Sequence, residues 1–286
     1  MQYSGQKPRV VITGFSGTLG GALAQIYQEK SWDVIGVTRR EFAASEGEGM
    51  SLVKNAQTSR ADAEALLALD ADLIVLCAGA IETEIGPEGL PLLKSLEDLN
   101  KINYEFPASL ALLAAEKKLS RPLTLCAIGS IADGSPSCFG PLYHASKAAL
   151  HFFVSSVAPI IAKSNPQLTL RLYRPGVIYG PLSWAPVNRL NQKAYAIRAR
   201  RCQGAPKARQ VALRIVRWLE GTQTVGSDRE PLSFLLLKLA FALAPSLYAK
   251  LQNLAWLRAS RWGRAVPMPK ATLSEGTLQP GKEAQG

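Results

Sequence analysis

Tyr143 and Lys147 stand four residues apart in a segment whose pattern predicts a helix. At this spacing both side chains lie on one face of the helix, where an ammonium group can lower the pKa of a phenol. A phenol with a lowered pKa can donate or accept a proton near neutral pH. Asn103, in another helical stretch, and Ser130, just past a predicted strand, precede this pair. These four residues form the predicted catalytic group.

A glycine-rich turn follows the first predicted strand and leads directly into a helical pattern. Its glycines let the backbone turn tightly and approach a pyrophosphate, whose charge the amides and positive end of the following helix would meet. The position of the turn between a strand and a helix favours a dinucleotide site over a plain tight turn. The residues predicted to contact the dinucleotide here are Gly14, Ser16, Gly17, Thr18, Leu19 and Gly20.

Two arginines, Arg39 and Arg40, follow the second predicted strand. An NAD site usually has an aspartate or glutamate at this point, which holds the ribose hydroxyls. Paired guanidinium groups instead suit a ribose 2′-phosphate, so the sequence predicts NADP(H) rather than NAD(H). The alternative is that both arginines are solvated loop residues.

Short β-branched segments alternate along the chain with longer segments of helical periodicity, which is typical of parallel α/β proteins. The predicted strands are, in chain order, the first at residues 9–13, the second at 33–38, a third that ends near residues 53–55, the fourth at 72–77, the fifth at 123–128 and the sixth at 168–173. The predicted helices cover residues 19–30, 60–69, 92–118 and 143–162. The expected fold class is therefore α/β, a doubly wound parallel sheet in a single domain over residues 1–228. An apolar, basic helical extension is predicted at residues 229–264 and a disordered tail at residues 265–286.

Taken together, the glycine turn, Ser130 and the pair of Tyr143 and Lys147 resemble the short-chain dehydrogenase/reductase superfamily, which has an NAD(P)-binding Rossmann fold. The resemblance covers about residues 8–228. It implies that Tyr143 is the acid/base and that Lys147 lowers its pKa and binds the nicotinamide ribose. It also implies that Ser130 orients the substrate oxygen and that Asn103 holds the water of a proton relay.

Two shorter segments match further cofactor contacts of that superfamily. One follows the fourth strand, and the other follows the sixth strand, where the superfamily contacts the nicotinamide carboxamide. The residues concerned are Ala78, Gly79, Pro175, Gly176 and Val177. The acidic residue that often holds adenine after the third strand is missing at residues 53–55.

The branch of the superfamily is left open by the motifs. The glycine spacing TGxxGxxG is commoner in the longer, nucleotide-sugar branch than in the compact, carbonyl-reducing branch. The chain after the sixth strand is too short for the large lobe of the longer branch, which favours the compact branch.

The expected function is NADP(H)-dependent transfer of a hydride between nicotinamide and a carbonyl or secondary alcohol of a hydrophobic or lipid-linked substrate. One alternative is a nucleotide-sugar epimerase or dehydratase that holds NAD tightly and returns the hydride to its substrate. Another alternative is a non-catalytic NADP-binding regulatory module. Net cofactor consumption distinguishes the first two functions.

The charge of the chain is uneven. Lys and Arg number 33 against 22 Asp and Glu, a net charge of +11, and residues 134–219 hold 13 basic side chains and no acidic one. We expect this part of the surface to face anions, with a basic compositional bias as the alternative. No nucleic acid partner is expected.

The cysteine and histidine content argues against a metal site and against a disulfide framework. The four cysteines include no CxxC pair, and the two histidines, His144 and His151, have no carboxylate or cysteine at metal-ligand spacing. The N-terminal residues lack the apolar region of a secretory signal. We therefore expect a cytoplasmic protein.

Two segments near the C-terminus are candidates for contact with substrate or membrane. Residues 181–206 occupy the position of a substrate lid and are rich in arginine. Residues 232–245 are strongly apolar but too short for a bilayer crossing, which needs about 20 residues. Residues 247–262 have the pattern of an interfacial amphipathic helix. Peripheral association with an anionic membrane at the cytoplasmic face is slightly favoured over a homodimer interface.

Overall fold

The structure, a computed structural model, describes residues 7–39, 41 and 49–263. Within these ranges the chain forms one parallel sheet with helices on both faces. Arg40 and the tail at residues 265–286 lie outside the described residues, so the predictions made for them stay predictions.

The sheet confirms the doubly wound α/β fold. Its described strands are β1 Arg9–Thr13, β2 Asp33–Thr38, β3 Ser51–Lys54, β4 Leu73–Leu76, β5 Leu123–Ile128, β6 Leu168–Arg174 and β7 Val225–Ser227. Their order is β3-β2-β1-β4-β5-β6-β7, and every neighbouring pair is parallel. The strand β7 was missing from the predicted strands, because three residues are too few to show a periodicity.

Helices connect the strands and cover the two faces. They are α1 Thr18–Glu29, α2 Arg60–Leu67, α3 Leu93–Asn100, α4 Phe106–Glu116, α5 Pro141–Ser164, α6 Pro181–Trp184, α7 Gln192–Gln203, α8 Ala208–Leu219, α9 Leu232–Leu243 and α10 Pro245–Ala259. The helices α2, α4 and α5 pack on one face of the sheet, and α1 and α8 pack on the other.

Alternating side chains of the strands build a separate apolar core on each face. In β1, Val11 packs on the face covered by α4 and α5, whereas Val10 and Ile12 pack on the face covered by α1 and α8. All three side chains are fully buried. Burial on both faces explains why the strands are continuous apolar runs rather than alternating ones.

The strand order reverses between β1 and β4, and the chain turns away from both strands at the same edge. The amide of Gly14, just after β1, donates to the Val37 carbonyl at 3.0 Å. The Thr13 hydroxyl accepts a hydrogen bond from the amide of Ala78, just after β4, at 3.1 Å. A reversal of this kind leaves a crevice at the carboxyl ends of the strands, where α/β proteins bind ligands.

One described helix, α5, is long and apolar enough to cross a membrane by length and composition alone. Its buried side chains, such as Leu150 and Val154, pack on the sheet together with β6 and α4. The same helix carries Tyr143 and Lys147, so we interpret it as a core helix of the domain.

The helices α9 and α10 pack at the rim of the domain. In α10, Tyr248 is buried, and its hydroxyl donates to the Pro136 carbonyl at 2.6 Å. Gln252 accepts a hydrogen bond from the Cys138 amide at 3.2 Å. No residue of α9 is buried, although most of its side chains are apolar. The predicted helical extension at residues 229–264 thus contains two helices in its described part.

Candidate active site

A cleft of about 810 Å³ opens at the carboxyl edge of the sheet. The sequence-predicted residues that line it are Gly14, Ser16, Gly17, Thr18, Leu19, Gly20, Arg39, Ala78, Gly79, Ser130, Tyr143, Lys147, Pro175, Gly176 and Val177. Asn103 is fully buried behind the wall of the cleft. The fold thus brings together residues that are more than 160 positions apart in the chain.

The glycine turn leaves space that a side chain would fill. Gly14 has a φ of +64°, and a Cβ there would lie 2.8 Å from the Ala78 Cα. A Cβ on Gly20 would overlap the Gly14 carbonyl oxygen. The helix α1 begins after Gly17, which caps it without a side-chain hydrogen bond. Its first amides are therefore available to a phosphate, and the turn fits a dinucleotide.

The far end of the cleft, beside β2 and β3, fits the adenosine part of such a cofactor. The exposed side chain of Arg39 lines this end of the cleft. Gln57 also lines it and is only 1% exposed, yet its Oε1 atom has no hydrogen-bond partner. An amide oxygen of this kind suits the amino group of adenine. Gln57 is absent from the sequence-predicted site residues, because the adenine-binding residue implied by the resemblance is acidic and directly follows the third strand, at residues 53–55.

Ser130 and Tyr143 form the polar pair at the centre of the cleft. Ser130 follows β5 directly and caps the short 3₁₀ helix Ile131–Gly134 by accepting a hydrogen bond from the Ala132 amide at 3.1 Å. Its side chain lies close enough to the phenol of Tyr143, near the start of α5, to influence the pKa of that phenol, and both side chains line the cleft. Two hydroxyl donors therefore lie next to each other, where one oxygen atom of a ligand could accept from both.

Lys147 lies one helical turn beyond Tyr143 on the same face of α5. Its side chain is 4% exposed, and its Nζ atom donates to the Ile128 carbonyl at 2.8 Å. The same atom is 6.0 Å from the centre of the Tyr143 ring. Burial lowers the pKa of Lys147 to about 8. The predicted arrangement of the pair on one helix face is therefore present.

The predicted lowering of the Tyr143 pKa is wrong for this structure. Burial raises the pKa of Tyr143, and the carboxylates of Asp133 and Glu82 add to that rise, while the neighbouring Ser130 side chain opposes it. Sequence spacing shows neither the burial nor these two carboxylates. The phenol is consequently protonated at neutral pH, which is the form that can donate a proton.

Asn103 lies in a single π-helical turn, Lys101–Glu105, between α3 and α4. Its Nδ2 atom donates to the Ala80 carbonyl at 2.9 Å and to the Ser146 hydroxyl at 3.0 Å, and its Oδ1 atom accepts from the Ala80 amide at 3.0 Å. These bonds tie the segment after β4 to α5. A π-helical turn at this point is typical of functional sites. The relay role predicted for Asn103 stays a prediction.

Comparisons with known proteins agree with this geometry. The model of the NAD dependent epimerase/dehydratase family matches residues 10–88, which include the glycine turn but less than half of the chain. No curated protein matches the chain.

Solved structures match over most of the chain. A short chain dehydrogenase from Burkholderia cenocepacia J2315 in complex with NADP has 16% identity and a TM-score of 0.67, with 86% of this chain and 98% of that chain covered. A short chain dehydrogenase/reductase from Burkholderia phymatum in complex with NAD has 15% identity and a TM-score of 0.69, with coverages of 86% and 96%. A 3-oxoacyl-[acyl-carrier protein] reductase from Brucella melitensis in complex with NAD has 19% identity and a TM-score of 0.63, with coverages of 78% and 96%.

The chain has the short-chain dehydrogenase/reductase fold. This is a fold of the Rossmann type, as the sequence motifs predicted.

Within this short-chain dehydrogenase/reductase fold, a buried carboxylate supports the floor of the cleft. The Asp133 side chain is fully buried and receives two hydrogen bonds from Arg174, both at 2.6 Å. His151 Nδ1 lies 3.0 Å from the same carboxylate. Burial by itself would raise the pKa of Asp133, but the hydrogen bonds from His151 and Arg174 hold it below its usual value. Asp133 is therefore ionised at neutral pH.

The same ion pair extends to α9. Arg174 also donates to Glu230 at 2.9 Å, and Lys238 of α9 donates to Glu230 at 2.8 Å. Lys238 lies 3.7 Å from Asp133. This chain of charges attaches α9 to the segment that follows Ser130.

Asp228, just after β7, holds the segment that contains Pro175, Gly176 and Val177. Its carboxylate accepts from the Gly176 amide at 3.0 Å and from the Tyr173 hydroxyl at 2.8 Å. The short strand β7, which the sequence did not reveal, thus positions a predicted cofactor contact.

Two thiols of the central strands, at Cys77 and Cys126, are not available as nucleophiles. Burial raises the pKa values of the Cys77 and Cys126 thiols to about 12, so neither is a thiolate at neutral pH. Among the described residues, no group of three His, Cys, Asp or Glu side chains could hold a metal ion. His144 lines the cleft, and its Nδ1 atom donates to the Ser135 carbonyl at 2.8 Å.

We predict that Asp133→Asn destabilises the protein by about 3–5 kcal/mol, because it removes the buried carboxylate that binds Arg174 and His151 and leaves Glu230 as the remaining anionic partner of Arg174. The measurement is urea unfolding followed by circular dichroism. The control is Glu64→Gln, which breaks the exposed pair between Arg60 and Glu64 and should cost less than about 1 kcal/mol. A loss below about 1 kcal/mol for Asp133→Asn would show that the buried pair does not support the fold.

Proposed function

We propose that this protein is an oxidoreductase that transfers a hydride between NADP(H) and a carbonyl or secondary alcohol. The observation that carries the proposal is the meeting of Ser130, Tyr143 and Lys147 with the glycine turn in one cleft. The similar solved structures are short-chain dehydrogenases and reductases, which supports the same reaction class.

The polar pair performs the proton chemistry of this proposal. When bound, the nicotinamide would supply or accept the hydride. In the direction of reduction, Ser130 donates a hydrogen bond to the carbonyl oxygen, and Tyr143, protonated at neutral pH, donates its phenolic proton to that oxygen. Lys147 lies where its ammonium group can stabilise the phenolate that remains.

Arg39 supports NADP(H) as the cofactor. Its guanidinium group lies at the adenosine end of the cleft, where it can pair with a ribose 2′-phosphate. The bound cofactors named for similar structures include both NADP and NAD, so the choice of NADP(H) rests on Arg39 and on the neighbouring Arg40 of the sequence.

A second candidate function is NAD-dependent epimerisation or dehydration of a nucleotide sugar. The family-model match at residues 10–88 and the glycine spacing favour it. Such an enzyme returns the hydride to its substrate and therefore consumes no cofactor. The coverage of nearly whole short-chain dehydrogenases by this chain favours net oxidoreduction instead.

A hydrophobic substrate fits the outer part of the cleft. The lid at residues 181–206 contains α6 and α7, and its residues Leu182 and Leu190 line the cleft. Phe234 and Leu237 of α9 and Ala255 of α10 line the opposite side. These apolar side chains would exclude water from a hydrocarbon chain that enters the cleft.

An anionic membrane surface is the partner that we propose for α9 and α10. A soluble helix that is apolar all round is normally buried, whereas Leu236 and Leu243 of α9 are 57% and 75% exposed. Residues 231–263 contain four basic and no acidic side chains, which complements anionic lipid headgroups. With 12 residues, α9 is about 18 Å long, too short to cross a bilayer, so it would lie in the interface. This placement is peripheral, on the cytoplasmic side.

We predict that Tyr143→Phe lowers the rate of ketone reduction by at least about 100-fold, because it removes the proton donor. The NADPH dissociation constant should change by less than about threefold, since the ring remains in place. Steady-state kinetics with a panel of ketones and fluorescence titration of NADPH measure the two effects. Tyr195→Phe, on the exposed surface of α7, is the matched control. Full activity of Tyr143→Phe would contradict the proposed chemistry.

We predict that Arg39→Ala weakens NADPH binding by about tenfold or more and leaves NADH binding nearly unchanged. The reason is the loss of charge-assisted hydrogen bonds to the 2′-phosphate. The ratio of the two dissociation constants, measured by fluorescence titration, gives the result directly. Arg60→Ala serves as a control that removes an exposed arginine outside the cleft. An equal loss for NADPH and NADH would assign Arg39 to general binding of both cofactors.

We predict that the full-length protein sediments with vesicles of phosphatidylglycerol and phosphatidylcholine and is released as the salt concentration rises. The triple change Leu235→Ser, Leu236→Ser and Leu239→Ser should weaken this binding by at least about tenfold, because each leucine contributes about 1.5–3 kcal/mol when buried in lipid. None of the three lines the cleft.

The control for vesicle binding is Leu213→Ser, which changes an exposed leucine of α8. Gel filtration of all variants reports the oligomeric state. If the triple variant bound vesicles like the unchanged protein, or if it only converted a dimer to a monomer, the membrane proposal would be wrong. The second of these results would assign α9 to a subunit interface.

A further inference from the structure

The cleft is lined by three cationic side chains and, among its described residues, by no carboxylate. The three are Arg39, Lys147 and Arg198. An environment of this kind attracts anions and disfavours cations. In the proposed function, Arg39 faces the 2′-phosphate and Lys147 faces the phenol and the ribose. Arg198 has no role in that account.

Arg198 lies in the middle of α7, on the lid. It is half-buried, and no hydrogen bond or ion pair joins it to another residue in the described part of the chain. Two other half-buried or buried arginines have partners, since Arg189 donates to the Phe139 carbonyl and Arg174 binds Asp133. Residues 134–219 contain no carboxylate that could pair with Arg198.

The Arg198 guanidinium lies close enough to the start of α5 to influence the pKa of a side chain next to Tyr143. Burial is the main cause that lowers the pKa of His144, the Ser135 carbonyl, Glu82 and Asp133 oppose it, and Arg198 makes the smallest contribution, which also lowers that pKa. His144 is adjacent to Tyr143 in α5 and lines the same cleft. Arg198 therefore lines the part of the cleft where the lid approaches the start of α5.

We propose that Arg198 binds an anionic oxygen group of the substrate, a phosphate or a carboxylate. The apolar part of that substrate would lie against Phe234 and Leu237. The substrate class is then an anionic amphiphile that carries a carbonyl or secondary alcohol. This inference rests on the proposed function, because it assigns the lid end of the cleft to the substrate.

A guanidinium group suits this role for two reasons. It remains charged at any pH at which the protein folds, and its planar donors match two oxygens of a phosphate or carboxylate at once. Lysine keeps the charge, but all of its N–H donors are on one nitrogen atom and cannot match two oxygens in one plane. Arg198→Lys should therefore retain only part of the binding. The pair of glutamine and lysine variants therefore separates charge from geometry.

The test uses full-length protein saturated with NADP⁺, and the probes are octyl phosphate, octanoate and octanol below their critical micelle concentrations. Isothermal titration calorimetry measures the three dissociation constants for the unchanged protein, Arg198→Gln and Arg198→Lys. Arg200→Gln, an exposed position of the same helix, is the matched control. NADPH affinity of each variant checks that the cleft is still folded.

We expect Arg198→Gln to weaken binding of the preferred anion by about tenfold or more and binding of octanol by less than about twofold. Arg198→Lys should lie between the two, and Arg200→Gln should match the unchanged protein. The larger effect, on octyl phosphate or on octanoate, identifies the anion as a phosphate or a carboxylate.

The proposal would be overturned if Arg198→Gln bound both anions as tightly as the unchanged protein does. It would also be overturned if Arg198→Gln weakened octanol binding as much as it weakened anion binding. Failure of the proposed function has a different signature. In that case no ketone is reduced by NADPH, while the dependence of octyl phosphate or octanoate binding on Arg198 persists.

Discussion

The carboxylate of Asp133 lies between the two segments that form the floor of the cleft, and the geometry of the site depends on it. Arg174 joins it from the end of β6, and Asp133 itself belongs to the 3₁₀ helix that Ser130 caps. A charge buried in this way is stable only when it is paired. The ion pair therefore fixes the end of β6 relative to Ser130, and through Lys238 it also fixes α9.

The elements that the sequence predicts well are those whose constraint is local. The glycine turn needs positive φ and close approach of the backbone at Gly14, and the pair of Tyr143 and Lys147 needs only one helical turn. The strands were predicted because they are buried on both faces and so are continuous apolar runs. The predicted parallel α/β fold is confirmed, and most of the predicted site residues line one cleft, whereas their roles stay predictions.

The features that the sequence does not reveal depend on contacts between distant segments. Gln57 becomes an orphaned acceptor in the cleft only once β3 lies beside β2. The raised pKa of Tyr143 depends on its burial and on Asp133 and Glu82, one of which precedes it by 61 residues. The absence of a partner for Arg198 in the described chain likewise needs the whole arrangement of the lid. Contacts between distant segments determine the protonation states and partners of the site residues, whereas local sequence patterns indicate only the class of site.

The central claim is net transfer of a hydride between NADPH and a substrate carbonyl, with the proton supplied by Tyr143. The most direct measurement uses NADPH in which both hydrogens at the nicotinamide C4 position are deuterium, with a reducible ketone and mass spectrometry of the alcohol formed. The account predicts one deuterium in each alcohol molecule and one NADP⁺ formed for each turnover. Product without deuterium, or conversion of a substrate without formation of NADP⁺, would contradict it.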